Sequence, residues 1–97
     1  MSQNRVVIAF VKGSVAKPYN VSFVFDDGTL QCGCPAWTRH TPRRDCKHID
    51  AAFEKAAEGL SRPAVTLLHD DFLAGQVLEQ LPKATVTMEN GQRKITL

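Results

Sequence analysis

The sequence predicts an α+β domain stabilised by zinc: a β-hairpin followed by a helix (ββα), with an N-terminal strand before it and a C-terminal helix and hairpin packed on it. Three observations lead there. Two Asp-Gly or Asn-Gly pairs sit between runs of alternating hydrophobicity, one stretch has helical periodicity with a glycine stop, and the cysteines are spaced like metal ligands rather than disulfide partners.

At 97 residues, with 12 Lys and Arg against 10 Asp and Glu, the chain reads as one nearly neutral domain spanning residues 1–97. A composition of 43% hydrophobic and 23% charged residues excludes a disordered tail or a collagen-like chain. The longest apolar run, residues 6–11, falls far short of the roughly 20 residues that cross a bilayer, and no charged leader with a cleavage site opens the chain. The expectation is a cytoplasmic protein without membrane association. Its oligomeric state is not legible.

Residues 5–12 (RVVIAFVK) form a continuous Val- and Ile-rich run bounded by Gly13, hence a strand buried on at least one face. Residues 19–26 alternate, with Val21, Phe23 and Phe25 on one side, and Asp27-Gly28 supplies a two-residue hairpin turn. That turn sets Asp26 opposite Thr29, Phe25 opposite Leu30, Val24 opposite Gln31 and Phe23 opposite Cys32. Phe23, Phe25, Leu30 and Cys32 then share a face, and Cys34 rejoins Cys32 after Gly33. Pro35 ends the strand and begins a loop over residues 35–44.

A helix is predicted next, with Asp45 as N-cap, an apolar stripe of Ile49, Ala52, Phe53, Ala56 and Leu60, and Gly59 at its end. Residues 64–68 fit a strand or a helix start equally. Asp70 or Asp71 caps a further helix carrying Phe72, Leu73, Val77, Leu78 and Leu81. Asn90-Gly91 closes a second hairpin between residues 84–88 and 92–97, with Ala84, Val86, Met88, Ile95 and Leu97 on one face. Residues 61–97 are thus a helix-hairpin extension of a zinc module at residues 19–60.

The chemistry lies in Cys32, Cys34, Cys46 and His48, a C-x-C pair, eleven residues, then a C-x-H pair. Cys3His is a common closed set for one structural zinc ion. Strand period puts Cys32 and Cys34 on one side, whereas two fully helical positions such as 46 and 48 stand roughly 200° apart. Cys46 must therefore lie at the bend before the helix, with His48 in the first turn, so that zinc clips hairpin to helix. The plainer alternative is three buried reduced cysteines beside a surface histidine. His40 in the loop is a spare ligand, but the helix start favours His48.

These residues, C-G-C-P, the loop, then C-K-H-I-D-A-A-F, preceded by a strand and Asp-Gly, resemble the SWIM-type zinc finger. The resemblance covers about residues 19–60. It implies a ββα module with Cys32, Cys34, Cys46 and His48 as zinc ligands, of a kind associated with DNA or protein binding in larger proteins. The expectation here is a small stand-alone form, without the large partner domain.

Four protein ligands leave no open position for water, so the metal is a poor hydrolytic centre and no enzyme is expected. His69 beside Asp70 and Asp71 reads as a solvated helix start. Residues 1–48 carry seven basic side chains against three acids, residues 49–97 five against seven. Arg39, Arg43, Arg44 and Lys47 gather around the zinc loop near Trp37, where they can meet phosphates while Trp37 stacks on a base. A solvated loop with Trp37 roofing the metal is an equal alternative. Four phosphate contacts give a salt slope of only about −3.6, so binding to DNA or another nucleic acid is weak. Asp50, Glu54 and Glu58 make the helix a poor major-groove reader. A protein partner, held through the C-terminal hairpin edge or the loop, is the competing expectation.

Overall fold

The computed structural model describes residues 4–13, 17–39 and 44–97. The Val- and Ile-rich N-terminal run forms β1 (Arg5–Val11), the alternating segment β2 (Tyr19–Val24) and the first cysteine segment β3 (Thr29–Cys32). Residues 64–68, ambiguous in sequence, contain β4 (Val65–Leu67), whose pairing with β1 makes them strand. The four strands form one antiparallel sheet in the order β3-β2-β1-β4. A bulge at Ile8 shifts the β1–β2 register between Val7 and Ala9, and both Ile8 and Ala9 are fully buried.

The first hairpin corrects the predicted register. Val24 pairs with Thr29, Phe23 with Leu30 and Val21 with Cys32, so the strands close around residues 25–28 instead of two residues. Gly28, at φ +70°, donates its N–H to the Val24 carbonyl at 2.8 Å, and the Phe25 amide turns to Asn4 at 2.8 Å, which removes Phe25 from the ladder. The slip is two residues. Because side chains alternate with period two, Val21, Phe23, Leu30 and Cys32 still share a face. Phe25 leaves the core and meets Phe23 edge-on, with centroids 5.2 Å apart.

Part of the expected loop is ordered as α1 (Pro35–Thr38), a single turn with proline at its start, in which the Cys34 carbonyl accepts from Trp37 and Thr38. Helix α2 (Lys47–Ala57) buries Ile49, Ala52 and Phe53 against the sheet. Gly59, at φ +72°, ends it, as predicted, while the Leu60 N–H bonds back to Glu54 at 3.1 Å. Leu60 lies beyond that stop and is exposed rather than part of the stripe. The N-cap is Cys46, not Asp45, because the Asp45 carboxylate is taken by Arg93.

Asp71 caps α3 (Phe72–Gln80), its carboxylate accepting from the Ala74 amide at 2.9 Å. The helix buries Ala74, Val77 and Leu78, with Leu81 buried in the 3₁₀ turn Leu81–Lys83 that follows. Phe72 and Leu73, which the helix carries as predicted, fall outside that face and are 77% and 50% exposed. Strands β5 (Thr85–Glu89) and β6 (Gln92–Thr96) pair through an Asn90-Gly91 turn with both residues at positive φ, as a type I′ turn requires. Of the hairpin's apolar face Ile95 is buried, while Met88 and Leu97 are exposed. The hairpin docks on the first one: the Ile95 amide donates to the Gly28 carbonyl at 2.7 Å, and an added Cβ at Gly28 would strike the Ile95 carbonyl. No described helix is long and apolar enough to cross a membrane.

Candidate metal centre

The hairpin carries Cys32 at the end of β3 and Cys34 just beyond it, at the N-cap of α1. The bend before α2 carries Cys46 with extended backbone, φ −96° and ψ 174°, and His48 follows in the first turn. Two helical residues at this i, i+2 spacing diverge, so only the non-helical conformation of Cys46 lets it face the same point as His48. The sequence required that bend.

All four residues are buried, and their ligand atoms lie within 4.8 Å of one another. The Cys46 sulfur is 3.9 Å from His48 Nδ1. A tetrahedral zinc with bonds of about 2.0–2.3 Å separates its ligand atoms by about 3.6–3.8 Å, so inward movements of under about 1 Å complete the coordination shell. The cluster is consistent with a zinc-binding site and can hold one metal ion. His48 is buried, which removes the alternative of a surface histidine, and none of the three cysteines is in a disulfide. The spare ligand His40 lies outside the described residues.

The electrostatics of the thiols favour an anion at Cys46. A hydrogen bond from the Cys32 thiol pushes the Cys46 pKa down against the opposing effect of burial, and the Ile49 amide in the first turn of α2 acts in the same direction. The same hydrogen bond, with burial, pushes Cys32 up. Three buried thiols sharing a proton network are a poor resting arrangement in apolar surroundings; a dication that accepts all three as thiolates resolves it.

Neighbours that the sequence did not single out hold the ligands. The Tyr19 ring lies 4.8 Å from the His48 imidazole, tilted by 45°. Gly13 sits against both: a Cβ there would come within 2.7 Å of Tyr19 Cε2 and 3.3 Å of His48 Nε2. Nδ1 thus faces the cysteines and Nε2 faces the β1 end. Arg93 of β6 reaches across to the bend, donating from Nη1 to Asp45 at 2.8 Å and Asp50 at 2.6 Å, with its guanidinium 4.7 Å from the Phe53 ring centroid. The Asp45 amide also donates to the Gly91 carbonyl at 2.9 Å. The C-terminal hairpin therefore clamps the residue immediately before a ligand. A signal existed in the sequence, since the hairpin register puts Arg93 opposite Met88 on the apolar face, where a charge needs a buried partner.

Of the basic residues around the loop, Arg39, Arg44 and Lys47 are exposed, and Arg43 lies outside the described residues. Trp37 is half-buried and packs against the core cluster that contains Cys32 and Cys34. It also lines two neighbouring clefts, so it both packs against the cysteine-bearing strand and faces a groove. His69, Asp70 and Asp71 lie together in a shallow cleft at the start of α3, away from the cysteines, with Asp71 occupied as a cap.

No protein-family model, curated protein or solved structure matches this chain.

Proposed function

We propose that this chain is a structural zinc module of the SWIM type serving as a nucleic-acid-binding accessory protein, and that it is not an enzyme. The observation that carries the zinc assignment is the convergence of a C-x-C pair at a hairpin end and a C-x-H pair at a helix start on one buried point. That arrangement has the order and the ββα setting of the SWIM-type finger, although α2 packs on a sheet of four strands rather than a lone hairpin. With four protein ligands the ion has no vacant position for a substrate or an activated water, so its contribution is to stability.

The binding role rests on Arg39, Arg43, Arg44, Lys47 and Trp37. Arg39, Arg44 and Lys47 are exposed, as phosphate contacts require, and Trp37 is half-buried against the core cluster that contains Cys32 and Cys34. Asp50 and Glu54 on α2, with Glu58 at its C-cap, oppose insertion of that helix into a major groove, which leaves the loop as the contact. A second reading, a zinc-stabilised protein-interaction module without nucleic-acid contact, is favoured by the exposure of Phe72, Leu73 and Met88.

Fluorescence anisotropy of labelled single- and double-stranded DNA with the zinc-loaded protein tests the choice. Micromolar binding that weakens with salt and is lost in the Arg43→Ala/Arg44→Ala variant supports the first reading. No binding at low salt turns the search to a protein partner and salt-tolerant association. One zinc per chain by elemental analysis tests the metal separately.

A further inference from the structure

The sheet face opposite α2 is only partly covered: Ser22, Val24 and Thr29 on it are buried, while Arg5 and Asn20 are exposed. Its two clefts, about 350 Å³ and 490 Å³, share Arg5, Gln31 and Trp37 in their walls and so form one continuous groove. Strand period explains the lining: Val7, Asn20, Ser22 and Gln31 alternate with the core residues Ile8, Val21, Phe23 and Cys32, and so point to the other side. Lys94 and Gln92 of the docked hairpin form the far wall.

We propose that this groove is the binding site for a single-stranded nucleic acid segment, with a base stacked on Trp37 and the backbone held by Arg5 and Lys94. The inference rests on the nucleic-acid reading above and names its strand form and its site. Three features carry it. The groove combines an aromatic ring with amide and hydroxyl side chains (Asn20, Ser22, Gln31), the set that stacks an unpaired base and bonds its edge. Its charged lining is two cations, Arg5 and Lys94, against the single acid Asp27, which suits a polyanion.

An exposed arginine also flanks the groove at each end. Arg39 follows Thr38 at one lip, and Arg44 lies at the other, where an added Cβ on Gly91 would come within 3.1 Å of the Arg44 Cβ, one residue before Gln92. A strand crossing the groove therefore meets loop cations as it leaves. A base inside a duplex offers no face to Trp37, so a double helix is excluded from the floor and reaches only the loop.

The chain has one tryptophan, so its intrinsic fluorescence reports this groove alone. The zinc-loaded protein is titrated with a ten-nucleotide oligo(dT), oligo(U) and a duplex of equal length, in parallel with anisotropy of the labelled oligomers. The expected result is quenching by single strands at the concentrations where anisotropy rises, and little quenching by duplex. Arg5→Gln/Lys94→Gln, checked for zinc content and circular dichroism, should flatten the salt slope by about 1.4, two single-strand phosphate contacts. Trp37→Ala, if folded, should weaken single-strand binding about 5- to 150-fold. Binding without tryptophan quenching, or unaffected by Arg5→Gln/Lys94→Gln, overturns the groove and leaves the loop as the site. Equal binding of duplex overturns the strand preference. No binding of any oligomer at low salt overturns the nucleic-acid reading itself.

Discussion

Replacing Arg93 by Met should cost far more than its place in a terminal hairpin suggests. The guanidinium is 15% exposed and its partner Asp45 only 3%, so solvent barely screens this pair, and one Asp45 oxygen, Oδ1, is already buried without a hydrogen bond. Breaking such a pair from one side leaves a buried carboxylate without a counter-charge, which costs about 3–5 kcal/mol. The Asp50 arm adds little, because that carboxylate is 47% exposed. Loss of the cation over Phe53 adds about 0.5–1 kcal/mol, and the methionine keeps part of the packing.

A total near 4 kcal/mol lowers the melting temperature of a chain this size by on the order of 15–30 °C. Thermal melts followed by circular dichroism, with zinc in excess, measure it. The pH dependence has a definite sign. Burial raises the Asp45 pKa above its unfolded value despite Arg93, so the folded state binds this proton first and the group's contribution to stability falls as pH rises through that window. Without Arg93 the window extends upward, and the deficit of the variant should shrink as pH falls through it. Arg93→Met/Asp45→Leu, which removes both charges, should be more stable than Arg93→Met alone. A single variant within about 1 kcal/mol of the parent, or a double variant with the two losses simply added, would refute the clamp.

Stripping the metal with a chelator should unfold residues 19–60, since a structural zinc contributes about 10–16 kcal/mol in isolated finger peptides; an unchanged spectrum and melting curve would show that the cluster is not a structural metal site. Cys46→Ala should abolish folding, whereas Arg43→Ala/Arg44→Ala should keep zinc content and melting temperature and lose only binding, read by circular dichroism beside anisotropy. Gly13→Val should displace the Tyr19 ring and the His48 imidazole it backs, weakening zinc about 10- to 100-fold in competition with a chromophoric chelator. Equal affinity in that variant would mean that His48 needs no support from the β1 end.

The Cys3His set, the strand–turn–strand segments and the two longer helices were legible because each depends on short-range chemistry. A period of two aligns Cys32 with Cys34, a bend is forced at Cys46 by the angle between helical residues two apart, and Asn-Gly, Gly59 and Asp71 mark positions of left-handed backbone or capping. The slipped register of the first hairpin was not legible, because the Asp27-Gly28 pair fits its turn locally while Asn4 and Ile95 compete for the amide of Phe25 and the carbonyl of Gly28. The same holds for Asp45. Its type suits an N-cap, and only the arrival of Arg93, 48 residues later, turns it into half of a buried ion pair and leaves the cap to Cys46.

Hence residue types and their spacing determined, by themselves, that four side chains form a buried Cys3His cluster consistent with a zinc site, and which elements carry them. Tertiary structure alone decided what surrounds that set: the Tyr19 and Gly13 backing of His48, the Arg93 clamp on the bend, the exposure of Phe72 and Leu73, and the polar groove beneath Trp37. Periodicity reports which way a side chain points from its own element. Whether another element comes to meet it depends on how sheet, helices and hairpin share one limited core, and that is a property of the whole chain.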